Sequence, residues 1–392
     1  MPDIKLAGAM ARLGTETAFD VLAKAKALEA QGRSVIHLEI GEPDFDTPRH
    51  ITEAAVEALR SGATHYTPSA GIPELRQAVA DDAGRMRGID IRPTEVVITP
   101  GAKPIMFFGL MALVDPGDEV VYPNPGFPIY ESVINFLGAR AVPVPLREDT
   151  DFAFDLDLLR RKVTARTKLI VVNSPQNPTG GVLSRAAIED IAGLAQQHDC
   201  WVLSDEIYDR MLYEGEHVSI ASLPGMRERT IILDGFSKTY AMTGWRLGYG
   251  IMPEALADQV AKLMTNSASC TAAFTQLAGI AALQGPQDAV TAMVAEFRAR
   301  RDLVVAGLNA IPGITCRLPK GAFYAFPNIT GTERSAAQLA DALLAEHGVA
   351  TLAGTAFGEY GEGYLRLSYA NSQANLRQAL QRIGAAVAAL GR

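Results

Sequence analysis

Cysteine is scarce in this sequence. Its three cysteines, Cys200, Cys270 and Cys316, stand far apart and form no CxxC pair. This spacing excludes a disulfide framework and a zinc site, and it favours a reducing compartment. We therefore expect no bound metal.

Long apolar runs and an excess of positive charge are also missing. No run approaches the roughly 18 residues that a membrane span needs, and the first residues lack a basic segment followed by an apolar one. The formal net charge is −8, which repels polyanions. We expect a cytoplasmic protein without a nucleic-acid or membrane partner.

Several catalytic motifs are absent too. The chain has no GxxxxGK, HExxH or GxSxG motif, and no GxGxxG that opens a helix after a strand. Nucleoside-triphosphate, zinc-peptidase, serine-hydrolase and dinucleotide-binding functions therefore lack their sequence signatures.

What the sequence does contain is an alternation of short apolar runs, rich in Val and Ile, with stretches of helical periodicity. Its 392 residues are enough for two or three core-forming units. The alternation predicts an α/β fold with a mostly parallel sheet between helices. The strands predicted in the middle of the chain are 95–99, 119–122, 169–173, 200–204, 230–233 and 247–251. The helices predicted there are 103–113, 129–137, 184–197 and 254–264.

The two ends of the chain predict a second, smaller unit. The C-terminal part predicts helices at 288–310, 335–347 and from 373 onward, with strands at 349–352 and 364–369. The first 45 residues predict one helix, 19–31, and one strand, 35–38, which are too few to fold alone. We expect a large domain, 46–300, and a discontinuous α+β domain made of 1–45 and 301–392.

Two predicted strands are followed by side chains suited to catalysis. Asp205 follows the strand 200–204, and Tyr208 comes three residues later. An isolated Asp at such a place more often caps a helix or turn.

Lys238 follows the strand 230–233, and no other charge occurs before Arg246. Most lysines are exposed, but one among apolar neighbours loses its proton readily and acts as a nucleophile.

Two loops complete this group of polar residues at the sheet edge. Asn177 lies in a Pro- and Gly-rich loop after 169–173, and Gly101 lies between a strand and a helix. Such loops are often only turns, although a helix N-terminus binds anions. Together these residues match the functional groups of pyridoxal phosphate. An amine suits its aldehyde, a carboxylate suits its ring nitrogen, a phenol and an amide suit its ring oxygen, and an anion site suits its phosphate.

Several segments resemble the class I/II aminotransferases of the aspartate aminotransferase family, which are fold-type I pyridoxal-phosphate enzymes. The segments are GEPDF at 41–45, YTPSAGIPELR at 66–76, NPTG at 177–180, SK at 237–238 and YLRLSY at 364–369. They span essentially the whole chain in the family's order. The resemblance implies a mixed, mostly parallel seven-stranded sheet and a ping-pong transfer of an amino group to a 2-oxo acid. It also implies an aspartate-type or aromatic amino donor.

The resemblance also implies roles for individual residues. Lys238 carries the cofactor, Asp205 meets the ring nitrogen, and Tyr208 and Asn177 hold the ring oxygen. The phosphate is bound by Gly101, Ala102, Lys103, Ser237 and Arg246.

The remaining implied roles concern the substrate and the partner subunit. Arg366 binds the substrate's α-carboxylate with help from Gly41 and Asn177, and Phe127 stacks on the ring. Tyr66 reaches the phosphate held by a second subunit, which implies a homodimer with shared active sites. The alternative is a tyrosine in the core of one chain.

Two positions depart from the subgroup typified by animal and enteric aspartate aminotransferases. Gly235 stands where that subgroup has a serine that contacts phosphate. The stretch 262–271 contains Lys262 but no arginine for a substrate's distal carboxylate.

Two alternative functions stay open. One is a different pyridoxal-phosphate reaction, such as that of a β-lyase, decarboxylase or cyclopropane-forming synthase. The other is an effector-binding regulator, which would need a further DNA-binding domain.

Overall fold

The computed structural model describes residues 4–390, and this part of the chain contains twelve strands and twelve α-helices. The strands are β1 (Ile36–His37), β2 (Val96–Thr99), β3 (Glu119–Asn124), β4 (Arg140–Pro145), β5 (Thr167–Asn173), β6 (Trp201–Asp205), β7 (Thr230–Gly235), β8 (Gly248–Ile251), β9 (Tyr324–Ala325), β10 (Val349–Ala350), β11 (Leu352–Ala353) and β12 (Leu365–Ser368). The helices are α1 (Ala18–Ala30), α2 (Arg49–Arg60), α3 (Pro73–Arg87), α4 (Lys103–Leu113), α5 (Ile129–Phe136), α6 (Leu156–Lys162), α7 (Arg185–Gln197), α8 (Glu254–Ser267), α9 (Ala273–Gln284), α10 (Asp288–Asn309), α11 (Ala336–His347) and α12 (Gln373–Leu390). Within 4–390, none of these helices combines the length and the apolar character that a membrane crossing requires.

Seven of the described strands form one sheet, in the order β2-β8-β7-β6-β5-β3-β4. From β4 to β7 the neighbouring strands pair in parallel, whereas β8 is antiparallel to both β7 and β2. The expected mixed, mostly parallel seven-stranded sheet is confirmed. Strand β4, at the sheet edge, is the member that the sequence analysis does not predict.

Helices cover both faces of this sheet. In β2, Val97 belongs to an apolar cluster with Ile105 of α4, whereas Val96 and Ile98 belong to a cluster with Leu75 of α3. Side chains alternate between the two faces of a strand, so both faces of β2 are covered. A strand buried on both faces needs apolar residues at nearly every position, which explains the continuous apolar runs.

A smaller part of the fold combines both ends of the chain. Strands β11, β12 and β9 form an antiparallel sheet, and β1 pairs in parallel with β10. Ala25 of α1 packs with Leu344 of α11 and Ala350 of β10. The first segment of the chain therefore packs on the C-terminal part. The expected boundary at residue 300 falls inside α10, and the division into two domains at that point stays a prediction.

Candidate active site

The C-terminal ends of the central parallel strands border a cavity of about 960 Å³. The strand register aligns Asn173 of β5 with Asp205 of β6, and Asp205 with Leu233 of β7. Loops that follow these strands therefore bring residues distant in sequence to one place. The predicted site residues that line the cavity are Gly41, Ala102, Lys103, Phe127, Asn177, Asp205, Tyr208, Ser237, Lys238, Arg246 and Arg366. The two predicted residues outside its lining are Gly101 and Tyr66.

Lys238 lies just beyond the end of β7. That strand ends at Gly235, where a Cβ atom would lie 2.9 Å from the Cα atom of its register partner Gly248 on β8, so the close approach of the two strands accounts for glycine here. The Lys238 amine donates to the Gly41 carbonyl oxygen at 2.5 Å and lies 5.8 Å from the centre of the Phe323 ring. Desolvation by the surrounding protein lowers the pKa of Lys238 to about 8, so an appreciable share of the amine is neutral near pH 7.

Asp205 is buried at the end of β6. Its Oδ2 atom accepts a 2.5 Å hydrogen bond from the Tyr130 hydroxyl, and its Oδ1 atom accepts one from the Ile207 N–H at 3.3 Å. Burial raises the pKa of Asp205 to about 6, and the charge of Lys238 acts in the opposite direction. A cationic group placed against this carboxylate would therefore hold it ionised.

Tyr208 and Asn177 reach the cavity from the loops after β6 and β5. The Tyr208 hydroxyl shares a 2.7 Å hydrogen bond with the Tyr324 hydroxyl. Burial raises the pKa of Tyr208, so the phenol keeps its proton and can donate it in a hydrogen bond. The Oδ1 atom of Asn177 accepts a 3.5 Å contact from Arg366, which leaves the Asn177 amide NH2 group to donate to a ligand.

Gly101 and Arg246 meet at the turn between β2 and α4. Gly101 has a φ of +85°, a conformation that favours glycine, and a Cβ atom there would overlap the Arg246 guanidinium. The Thr99 hydroxyl fixes the turn by donating to the Gly101 carbonyl oxygen at 2.7 Å. Arg246 is exposed and donates to the Thr243 carbonyl oxygen at 2.8 Å. A guanidinium beside the N-terminus of a helix makes a site for an anion.

Arg366 of β12 is almost fully buried, with 4% of its surface exposed. One of its terminal nitrogens donates to the Glu39 carbonyl oxygen, while its Nε atom has no hydrogen-bond partner among the described residues. The guanidinium lies 4.7 Å from the centre of the Tyr324 ring and 5.0 Å from that of Phe357. Burial lowers the pKa of Arg366, but an arginine stays charged in proteins. It therefore has a free donor for a carboxylate.

Lys103 is the first residue of α4, and its side chain forms an ion pair with Glu16. The Lys103 Nζ atom also lies 5.4 Å from the centre of the Phe127 ring, which packs edge-on against Tyr130 with ring centres 5.6 Å apart. The backbone N–H of Lys103, at the helix N-terminus, is the part of this residue that fits the predicted phosphate turn.

Tyr66 lies outside the cavity and is 88% exposed. The alternative that it is a core residue of its own chain is therefore wrong. Its predicted reach to the phosphate of a second subunit stays a prediction.

Three residues of the site are missed by sequence reasoning: Tyr130, Tyr324 and Glu16. Tyr130 follows Phe127 by three residues at the start of α5. Residues three apart in a helix lie on the same face, so this spacing could have indicated that Tyr130 lies near Phe127. Tyr324 and Glu16 reach the cavity from elements far from any motif, and no pattern in the sequence marks them.

The donor set fits pyridoxal phosphate. Lys238 offers an amine, Asp205 a carboxylate, and Tyr208 and Asn177 uncharged hydrogen-bond donors, all within one cavity. Beside them is a turn in which the missing side chain of Gly101 leaves room for a guanidinium. These groups match the functional groups of the cofactor in number and kind.

Known proteins match the chain over nearly its full length. Residues 33–383 match the model of the family described as aminotransferase class I and II. The chain is 43% identical over 355 residues to the aspartate aminotransferase of Pyrococcus abyssi, covering 90% of this chain and 91% of that one. It is also 43% identical over 359 residues to aromatic-amino-acid aminotransferase 2 of Thermococcus litoralis, covering 90% and 92% of the two chains. The crystal structure of the aspartate aminotransferase from Rhizobium meliloti matches with a TM-score of 0.94 at 36% identity, covering 98% of this chain and 99% of that one.

Proposed function

This chain belongs to the class I and II aminotransferase family, and from that premise we propose how its own residues hold the cofactor and move an amino group. The chain is a pyridoxal-phosphate-dependent aminotransferase, which transfers the amino group of an amino acid to a 2-oxo acid. The proposal concerns the residues that carry out this transfer.

Lys238 is the amine around which the site is built. When bound, pyridoxal phosphate supplies an aldehyde carbon and a ring that accepts electrons. The lowered pKa of Lys238 provides the neutral amine that attack on an aldehyde requires. With the cofactor and an amino acid bound there, the Lys238 amine would be the group that moves the proton at the substrate Cα atom.

Asp205 holds the proton on the ring nitrogen. Its carboxylate is fixed by the Tyr130 hydroxyl and the Ile207 N–H, and burial makes its charge effective over a short distance. Tyr208 and Asn177 donate hydrogen bonds to the ring oxygen from the neighbouring loops.

The phosphate of the bound cofactor would be held at the N-terminus of α4. Its ligands in this proposal are the backbone N–H groups of Gly101, Ala102 and Lys103 and the side chains of Ser237 and Arg246. Phe127, which lines the cavity, stacks on the ring.

Arg366 binds the α-carboxylate of the substrate. Its free Nε atom and its planar guanidinium suit a bidentate pair, and Gly41 and Asn177 lie in the same cavity to help position the substrate. The names of the relatives support an aspartate-type or aromatic amino donor.

The proposed enzyme works as a homodimer with shared active sites in the cytoplasm. Tyr66 supports the dimer, since a large aromatic side chain that is 88% exposed is suited to a subunit contact. The cytoplasmic location is supported by the three cysteines, all of which are free thiols.

The observation that carries the proposal is the pairing of an amine of lowered pKa with a buried carboxylate in one cavity. It is tested by mixing the loaded enzyme with single amino acids in the absence of any 2-oxo acid. We expect one equivalent of 2-oxo acid per bound cofactor, after which the reaction stops until a 2-oxo acid is added. Continuous release of ammonia or carbon dioxide would instead show a lyase or a decarboxylase.

A further inference from the structure

Glu16 brings a negative charge into the cavity from outside the sheet. It lies just before α1 and lines the cavity with 17% of its side chain exposed. Its carboxylate pairs with the Lys103 ammonium, which stands 5.4 Å from the centre of the Phe127 ring. An ion pair thus occupies the cavity in front of the ring that is proposed to cover the cofactor.

This ion pair lines the same cavity as Lys238 and Arg366. The charge of Glu16 acts on the pKa of Lys238 and on that of Arg366, so it lies within electrostatic range of both. If Arg366 holds the α-carboxylate and Lys238 reaches the Cα atom, the substrate side chain lies in the cavity that Glu16 and Lys103 also line.

Other cationic side chains of the described lining already have partners. Lys26 pairs with Glu29 at 2.9 Å, and the His37 ring contacts Glu39 at 2.7 Å and Glu29 at 3.1 Å. Arg246 donates to a backbone carbonyl oxygen at the proposed phosphate turn. Lys262, the cation within the stretch 262–271, is exposed on α8 and does not line the cavity. Lys103 is therefore the cation that an acidic substrate side chain would meet. Glu16 already neutralises it by forming an ion pair with it.

The wall beside this ion pair is largely apolar. Besides these charged groups, the cavity lining includes the apolar side chains of Phe19 and Leu22 of α1, Ile40, Leu352 of β11 and Phe357. Such a wall gains free energy from burying an apolar or aromatic side chain.

We propose that Glu16 is a specificity-determining residue, which neutralises Lys103 and makes the site favour neutral, aromatic or apolar, amino donors over acidic ones. The proposal rests on the proposed function, because it concerns the substrate of that same site. An acidic donor must separate Lys103 from Glu16, and its second carboxylate is then repelled by the displaced one. A neutral donor leaves the ion pair intact.

The test compares Glu16→Gln with the wild-type enzyme. We expect the ratio of kcat/KM for aspartate to that for phenylalanine to rise about tenfold, because glutamine keeps the shape but frees the Lys103 charge. The matched control is Glu53→Gln, a glutamate that pairs with Arg49 on α2, because neither member of that pair lies in the lining. Its ratio should stay at the wild-type value.

A binding measurement gives a readout that does not depend on turnover. Succinate and 3-phenylpropionate are unreactive acids with and without a second carboxylate, and calorimetry measures their dissociation constants with the loaded enzyme. In Glu16→Gln we expect the succinate constant to fall about tenfold and that of 3-phenylpropionate to stay unchanged. Adding Lys103→Met to this variant should abolish the gain.

Two results would overturn the proposal: an unchanged or lower aspartate preference in Glu16→Gln, or a gain for succinate that survives Lys103→Met. Failure of the proposed function looks different. In that case no amino acid yields a stoichiometric 2-oxo acid with the wild-type enzyme, while the two acids still report whether Glu16 controls the second carboxylate.

Discussion

At the scale of single residues, burial shifts the two central ionisable groups in opposite directions. It raises the pKa of Asp205 to about 6 and lowers that of Lys238 to about 8. Both shifts bring the charged and neutral forms closer in free energy near neutral pH. A site that must both hold and move protons needs groups of this kind.

Asp205 should matter far more for turnover than Tyr208. Asp205→Asn removes the charge that is proposed to keep the ring nitrogen protonated, and we expect this to raise the barrier by several kcal/mol in a desolvated site. Tyr208→Phe removes one hydrogen bond, worth about 1–2 kcal/mol. Single-turnover rates of the two loaded variants measure the difference, and equal losses would show that their roles are misassigned.

The sequence is sufficient to predict the residues that follow strand ends, but not those that arrive from elsewhere. Asp205, Lys238 and Asn177 each follow an apolar strand, and parallel strands end at one edge. Tyr324 and Glu16 belong to other parts of the fold, so their approach to the cavity depends on tertiary packing. No local sequence pattern indicates that these two side chains will reach the cavity.

At the scale of secondary-structure elements, the turn from β2 into α4 requires glycine at position 101. Gly101→Ala places a Cβ atom in a left-handed conformation that costs about 1–2 kcal/mol, and that atom overlaps the Arg246 guanidinium. We expect the dissociation constant of pyridoxal phosphate to rise at least about tenfold, which fluorescence titration of the cofactor-free protein measures.

The matched control for this change is Gly88→Ala. Gly88 caps the C-terminus of α3 with a φ of +66°, and a Cβ atom there would meet nothing within 4 Å. It therefore carries the backbone strain without the clash, and cofactor affinity should stay at the wild-type value. If the two variants bind the cofactor equally well, the turn does not form the phosphate site.

Helix α3 is tied to the sheet by a buried charge network. Arg87, its last residue, donates to Glu206 at 2.8 Å, to Asp209 at 3.1 Å and to Asp234 at 3.0 Å. Glu206 follows Asp205 directly, so the network lies behind the site. Burial disfavours the charge of Glu206, but the Arg87 guanidinium holds the pKa of that carboxyl well below its usual range.

Arg87→Met should destabilise the fold by about 3–5 kcal/mol at neutral pH, because it removes the guanidinium that pairs with three buried carboxylates. Burial already raises the pKa of Asp234, and the Arg87 charge opposes this rise. Without the guanidinium we expect that pKa to rise further, so stability is lost as pH rises. The deficit should therefore be smaller at about pH 5 than at pH 7 in urea unfolding. The control is Arg85→Met. The Arg85 side chain is exposed, and its buried partner Asp82 keeps a second cation, Arg210, so we expect a loss of less than about 1 kcal/mol. Equal losses in the two variants would contradict this account.

The elements themselves were predictable where the apolar period was strong. Helix α4 begins and ends at the predicted residues, and the six predicted central strands are all present. Strand β4 escapes prediction because Pro143 and Pro145 interrupt its apolar pattern, and proline fits a strand mainly at a sheet edge. Helix α3 is not predicted because its buried face includes polar residues such as Asp82 and Arg87. The apolar periodicity that normally indicates an amphipathic helix is therefore weak in this segment.

At the scale of the whole molecule, the proposed dimer predicts complementation between two inactive variants. Lys238→Ala chains lack the amine, and Tyr66→Glu chains place a negative charge against the phosphate of the other subunit. If the sites are shared, a hybrid dimer has one site with both lesions and one intact site. Activity should then appear after the two proteins are mixed and exchange subunits.

Sites formed within single chains predict no complementation. If Tyr66 and Lys238 served the same chain's site, every site of the hybrid would keep one lesion. No activity would appear, although native mass spectrometry of differently tagged chains showed that hybrids had formed. The shared-site proposal would then be wrong.

The central claim is that Lys238 is the amine that holds the cofactor, and it is tested most directly by trapping that bond. Cofactor-free protein is mixed with pyridoxal phosphate over a range of pH, reduced with borohydride and digested for mass spectrometry. We predict that the added mass lies on Lys238, and that the capture rate rises with pH with a midpoint near 8, because the neutral amine reacts. Trapping on Lys103 or Lys26, the other lysines of the described cavity lining, would contradict the account.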